Sequence, residues 1–128
     1  MTDKEIISEV NRCISMETDA IGKLTEVLDE KAVLETAKAL QNCKGKVIGV
    51  SENPDSKIAQ AADIYMKVKA EREPCRFNML ATSSTLAVIS TFDAICIALM
   101  QMTGYTREQF AVIHPGGAVG ERLLNHID

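Results

Sequence analysis

Two short apolar runs constrain this chain most: Lys46 to Val50 (KVIGV) and Asp63 to Val68 (DIYMKV). Both read as strands. Between them Ser51 to Pro54 reads as a loop and Lys57 to Ala62 as a helix, capped by Asp55 or Ser56. Strand, helix and strand within about 25 residues argue for a parallel βαβ unit, right-handed by default. Parallel strands are normally covered by helices on both faces. The rest of the chain therefore has to supply helices.

Its pattern does so. Asp3 can cap a first helix carrying Ile6, Ile7, Val10, Cys13, Ile14, Ile21, Leu24, Val27 and Leu28 at helical spacing. Gly22 weakens that helix without ending it. A second helix, about Glu30 to Leu40, places Val33, Leu34, Ala37 and Leu40 on one face, and Asn42 to Gly45 is a turn. These helices cover either the sheet of their own chain or another subunit. Ala70 to Ala81 is irregular, with Pro74 as a breaker. Thr82 or Ser83 then caps a long helix to about Thr103, closed by Gly104. Thr106 and Gln109 form a capping-box pattern for a short helix. His114-Pro115-Gly116-Gly117 breaks the chain, and a last helix carries Val119, Leu123 and Leu124.

A length of 128 residues fits one domain, 1–128, with N-terminal helices over 1–45 and the remainder over 46–128. Apolar residues at 46% and charged residues at 25% are ordinary for a globular chain. A net charge of −4 offers no long-range attraction to nucleic acid or an anionic membrane. Neither is expected as a partner. The apolar stretch Leu86 to Met102 is interrupted by Ser90, Thr91, Asp93 and Gln101 and reads as too polar and short to span a bilayer. The polar N-terminus is unlike a signal peptide. Cys13, Cys43, Cys75 and Cys96 form no C-x-x-C pair. Cys13 and Cys96 are expected as reduced, buried side chains, which suits a cytoplasmic protein. No cofactor and no metal-ligand set is visible.

Three places could carry chemistry. Thr82, Ser83, Ser84 and Thr85 join four hydroxyls to the free N–H groups of a helix start, which suits a phosphate or sugar oxyanion. Plain capping explains the same residues. His114 before Pro-Gly-Gly could reach a cleft, and imidazole suits proton transfer near neutrality. A solvated turn is the alternative. Glu73 is a loop carboxylate that neighbours could hold as a general base, or one more exposed charge in a charged run. Asp93, among apolar Ile89, Ile97 and Met100, is expected to be buried and structural. Met79, Met100 and Met102 are expected as core filling, and His126 as solvated.

The ordered set Gly49-Val-Ser-Glu-Asn-Pro-Asp-Ser-Lys-Ile-Ala59, Ala61-Ala-Asp63, Glu73-Pro-Cys75, Thr82-Ser-Ser-Thr85, Phe92-Asp-Ala94, Gly104-Tyr-Thr106, Phe110 and His114-Pro-Gly-Gly-Ala-Val-Gly120 resembles a known family. It is similar to the C-terminal half of sugar isomerase (SIS) domains of the arabinose-5-phosphate isomerase type. The first two helices resemble those that open such domains. The resemblance implies an α/β fold with an SIS-type parallel sheet flanked by helices. It implies interconversion of ribulose 5-phosphate and arabinose 5-phosphate through an enediol, or binding of a phosphosugar without turnover. By the same resemblance Glu73 and His114 are the catalytic pair, His114 lying near a subunit interface, and Thr82 to Thr85 hold substrate. The expected partners are a small-molecule sugar phosphate and further copies of the chain, as a dimer or tetramer. The paired nucleotide-sensing (CBS) modules of many members are not seen before Asp128. One departure is large. Lys46-Val-Ile48 matches the family's first strand, yet runs directly into Gly49-Val-Ser51, the end of a much later one. The central strands and loops, including the serine-rich phosphate loop, are missing, so the sheet should be incomplete and the chain helix-rich. The retained motifs depend on those loops, which favours an internal stretch left out over a true loss.

Overall fold

The computed structural model describes residues 2–42 and 45–124. Cys43, in the expected turn, and His126 lie outside that range. Helix α1 (Asp3–Gly22) opens with the Ile6 N–H donating to the Thr2 carbonyl at 3.0 Å, so Asp3 is already helical and does not cap. The single helix expected through Leu28 is broken: α1 ends at Gly22, and a separate turn, α2 (Leu24–Val27), follows. Glycine makes a break there inexpensive. The break also lets Leu24 enter a core cluster with Val68 and Ala87.

The Asp29 carboxylate caps α3 (Glu30–Gln41), accepting the Ala32 N–H at 2.8 Å. Of the expected face of α3, Ala37 is buried and Val33 packs against the core, while Leu34 and Leu40 are exposed; Thr36 and Ala39 are buried in their place. Small residues allow α3 to lie close to the sheet, where the Thr36 hydroxyl meets the Met66 sulfur at 3.1 Å. Strand β1 (Ile48–Ser51) begins two residues later than expected and pairs in parallel with β2 (Ile64–Lys67), Ile48 opposite Ile64 and Ser51 opposite Lys67. Between them Ser56 caps α4 (Lys57–Ala61) by accepting the Ala59 N–H at 3.2 Å. Gly49 is required for this unit to close. A Cβ there would stand 2.7 Å from the Ala62 Cβ and 2.9 Å from the Ile58 carbonyl oxygen.

Among the described residues the sheet has two strands, and helices make up most of the fold, as expected for an α/β domain lacking its central strands. The long helix α5 (Ser83–Thr103) packs on α1 and α3. Its inward stripe is Ser83, Ala87, Thr91 and Ile95, each four residues from the last. Ile95 joins Ala37, Ala39, Ile64 and Met66 in the main core. Several expectations fail on this helix. Asp93 and Cys96 are exposed, and Cys13 is only half-buried. Asp93 follows Thr91 by two residues, about 200° round the helix, which turns it outward. Met79, Met100 and Met102 are also exposed rather than core. At 21 residues α5 is long and apolar enough, by length and composition, to cross a membrane, contrary to the expectation from Leu86 to Met102 alone. Its buried stripe packs on the helices and sheet of its own chain.

Gly104, in the left-handed region at φ +63°, closes α5, and the Tyr105 N–H donates to the Met100 carbonyl at 2.9 Å. Thr106 and Gln109 form the expected capping box on α6 (Arg107–Ile113). Helix α7 (Gly117–Leu124) packs back on α6.

Candidate functional site

The carboxyl ends of parallel strands are where open α/β sheets bind ligands. Here a cleft of about 660 Å³ lies at that edge. Val50, Ser51 and Glu52 leave β1 on one side, and Val68 and Lys69 leave β2. The irregular loop with Arg72, Glu73, Asn78 and Met79, and the start of α5 with Ser84 and Thr85, complete the wall. The Ser51 side of the loop is tied down. The Ser51 hydroxyl accepts from the Asn53 N–H at 3.1 Å and from the Ser56 hydroxyl at 3.2 Å, and the Tyr65 hydroxyl donates to the Ser51 carbonyl at 2.9 Å.

Glu73 is the centre of this arrangement. Its Oε2 accepts the N–H of Thr82 at 2.9 Å, the N–H of Ser83 at 2.8 Å and the Thr82 hydroxyl at 3.3 Å. Its Oε1 accepts the Ser84 N–H at 3.3 Å. Thr82 occupies the cap position of α5 but makes no side-chain cap of its own. The anion that sits on the α5 N-terminus is therefore the protein's own carboxylate, from a loop nine residues upstream. Burial raises the proton affinity of Glu73, but the Ser84 hydroxyl and the Thr82, Ser84 and Ser83 N–H groups outweigh it and leave the carboxyl below its ordinary value. Its own N–H donates to the Asn78 Oδ1 at 2.7 Å, and Asn78 adopts a left-handed φ of 55° to face it. Asparagine tolerates that conformation through its short polar side chain.

The four hydroxyl residues separate. Ser84 and Thr85 line the cleft, whereas Ser83 is buried on the inward stripe with no partner for its Oγ among the described residues. The Thr85 hydroxyl lies 3.4 Å from the Ala81 carbonyl. Cys75, two residues past Glu73, accepts the N–H groups of Met79 and Leu80 at 3.2 Å each, and these bonds pull its thiol below the usual value. His114 stands apart from the cleft. It ends α6 half-buried, stacked on Phe110 with centroids 4.2 Å apart and planes inclined by 13°. Among the described residues its Nδ1 is buried without a partner. Of the glycines that follow, Gly120 has a packing role, since a Cβ there would stand 2.8 Å from the His114 carbonyl oxygen; Gly117 takes a left-handed φ of 69°, and a Cβ on Gly116 or Gly117 would meet nothing within 4 Å. Among the described residues no three His, Cys, Asp and Glu side chains gather as a metal site.

Polar residues in the cleft that the sequence did not single out as candidates are Ser51, Glu52, Lys69, Glu71, Arg72 and Asn78. The Gly-Val-Ser run at a strand end was a usable signal for Ser51; the others looked like ordinary loop residues.

Comparison with known proteins gives this geometry a context. No protein-family model matches the chain. The arabinose 5-phosphate isomerase KdsD of Yersinia pestis is 38% identical over 106 residues, 83% of this chain and 30% of that protein. KdsD of Escherichia coli K12 is 40% identical over 82 residues, 64% of this chain and 25% of that protein. A crystal structure of a putative sugar-phosphate isomerase from Listeria monocytogenes matches with a TM-score of 0.86 and 29% identity, covering 91% of this chain and 100% of that one. The chain belongs to the sugar isomerase (SIS) domain family. Within it the chain resembles the arabinose 5-phosphate isomerases, while spanning less than a third of the length of those curated relatives. In this SIS chain the loop glutamate and the hydroxyl-rich helix start form one hydrogen-bonded unit, and the histidine before Pro-Gly-Gly does not join it.

Proposed function

We propose that this chain serves an aldose–ketose isomerase of sugar phosphates, interconverting ribulose 5-phosphate and arabinose 5-phosphate in the cytoplasm. The observation that carries the reading is the ionised Glu73 carboxylate held on the α5 N-terminus at the wall of the cleft. Its Oε1 makes the single, longer N–H bond and is the freer oxygen for proton transfer. Glu73 removes a proton from C1 of the ketose while an acid protonates the C2 carbonyl oxygen, giving the 1,2-enediol. Return of a proton to C2, with loss of the O1 proton, completes the aldose. Lys69 and Arg72 supply positive charge in the cleft for the phosphate, and Ser84 and Thr85 supply hydroxyls for the sugar. His114 of the partner subunit completes the acid–base set, because the chain's own His114 stands outside the cleft. The active unit is accordingly a homo-oligomer, a dimer or tetramer, in which residues 1–128 of each copy form one SIS-like domain.

The test is turnover of ribulose 5-phosphate by the full chain, with Glu73→Gln and His114→Ala alongside. Turnover that both substitutions abolish is expected; full rates in either variant overturn that residue's role. A second reading, a phosphosugar sensor, is favoured by the separation of His114 from Glu73 within one chain. Calorimetric binding of arabinose 5-phosphate without turnover would select it.

A further inference from the structure

Glu73 can sit on the α5 N-terminus only if its loop is held there, and the backbone on either side of it shows what does so. On the N-terminal side its N–H is bound by Asn78. On the C-terminal side Pro74 is buried, so its carbonyl needs a donor from within the protein. That donor comes from α1: the Arg12 Nη2 reaches the Pro74 carbonyl oxygen at 2.6 Å, across 62 positions of sequence. The rest of the guanidinium is held on its own helix. Nε and Nη2 bond Glu9 at 2.9 and 2.6 Å, and Nη1 lies 2.8 Å from the Met16 sulfur. Arginine suits this task because its planar fork presents several donors in fixed directions. Glu9 aims the fork, and the second Nη2 hydrogen holds the carbonyl of Pro74, the residue that follows Glu73. We propose that Arg12 is a positioning residue, strapping the Glu73-Pro74 segment to α1 so that the Glu73 carboxylate stays on the α5 amides.

A lone surface ion pair between Arg12 and Glu9 would matter little. The bond to Pro74 differs, since it joins α1 to the loop that carries the proposed base. Small displacements of such a group are costly in rate.

The proposal rests on reading Glu73 as the proton-transferring group, so its test includes measurements that need no turnover. Full-length wild type, Arg12→Ala and Arg12→Lys are compared by NMR titration of the Glu73 side-chain carboxyl, by amide exchange at Thr82, Ser83 and Ser84, and by turnover. In Arg12→Ala the Glu73 midpoint should rise and the three amides should exchange faster, while kcat falls about 10- to 100-fold with KM near wild type. Arg12→Lys, which keeps the charge but loses the planar fork, should move all readings the same way by less; it decides the matter if the alanine variant fails to fold. A folded variant with wild-type titration and exchange overturns the proposal, even if its turnover is reduced. Shifted titration and exchange in chains that show no turnover at all, wild type included, support the strap and overturn the isomerase reading instead.

Discussion

Glu73 is a structural cap on α5 and, in the proposed reaction, also the base. Donors of Thr82, Ser83 and Ser84 at the start of α5 hold it ionised. Folded Glu73 releases its proton more readily than in the unfolded chain, where the ordinary value of 4.5 applies. Its contribution to stability is therefore fully present above that value and is lost as pH falls through the lower folded value. Glu73→Gln should destabilise the fold by about 1–2 kcal/mol at neutral pH, the size expected for losing a capping carboxylate at a helix start. Urea titrations at pH 7 and pH 3 check this: the gap between wild type and variant should narrow at the lower pH. The same depression sets a condition on the chemistry. The acid limb of the rate profile should lie below the ordinary carboxylate range, because a base that ionises early stays competent early. At this scale the helix start of Thr82, Ser83 and Ser84 is already capped, by the Glu73 carboxylate that accepts all three N–H groups. Sequence spacing could not show this, because the loop's course depends on Pro74, Asn78 and Arg12 acting together.

At the scale of elements, the βαβ unit was legible from two apolar runs and an intervening cap. The shift of β1 to Ile48–Ser51 follows from Asp63. Its carboxylate takes the Val47 N–H at 2.9 Å, and its own N–H bonds the Val47 carbonyl at 2.9 Å, so regular pairing starts beyond them. Gly49 is the tightest point of the unit. Gly49→Ala should cost about 1–3 kcal/mol, as overpacking does, because Ala62 and the Ile58 carbonyl occupy the space a methyl needs. Thermal unfolding measures the loss; a wild-type midpoint would contradict the close approach of α4 to β1. Helical spacing found α1, α3 and α5 but misplaced part of their inner faces. Periodicity says which residues share a side, whereas packing distance selects the side. On α3 and α5 the small residues won, since Ala37, Ala39 and Ala87 let the backbones approach.

For the molecule as a whole, apolar side chains left outside are as informative as the core. Ile7 and Ile14 on α1 remain 61% and 55% exposed, and Ile97 on α5 58%. Helices α1 and α5 are packed neighbours, so these side chains belong to one helical layer. Chains rarely leave this much apolar surface in water. Light scattering should give a mass well above the 14.0 kDa of one chain, and Ile14→Lys combined with Ile97→Lys should lower it towards that value. A wild-type monomer at micromolar concentration would remove the basis for an oligomeric site.

Local syntax was legible from neighbouring residues alone: strand, helix and strand around Gly49, the caps at Ser56 and Thr106, the Gly104 stop, and the motifs that resemble the SIS family. These depend on neighbours within a few positions, where steric and hydrogen-bonding preferences act directly. Tertiary structure alone decided which faces are buried, that Glu73 fills the α5 N-terminus, that Arg12 reaches Pro74, and that His114 lies apart. Each of these pairs groups that are distant in sequence or chooses between two sides of one helix, and only the packing of the whole chain makes that choice.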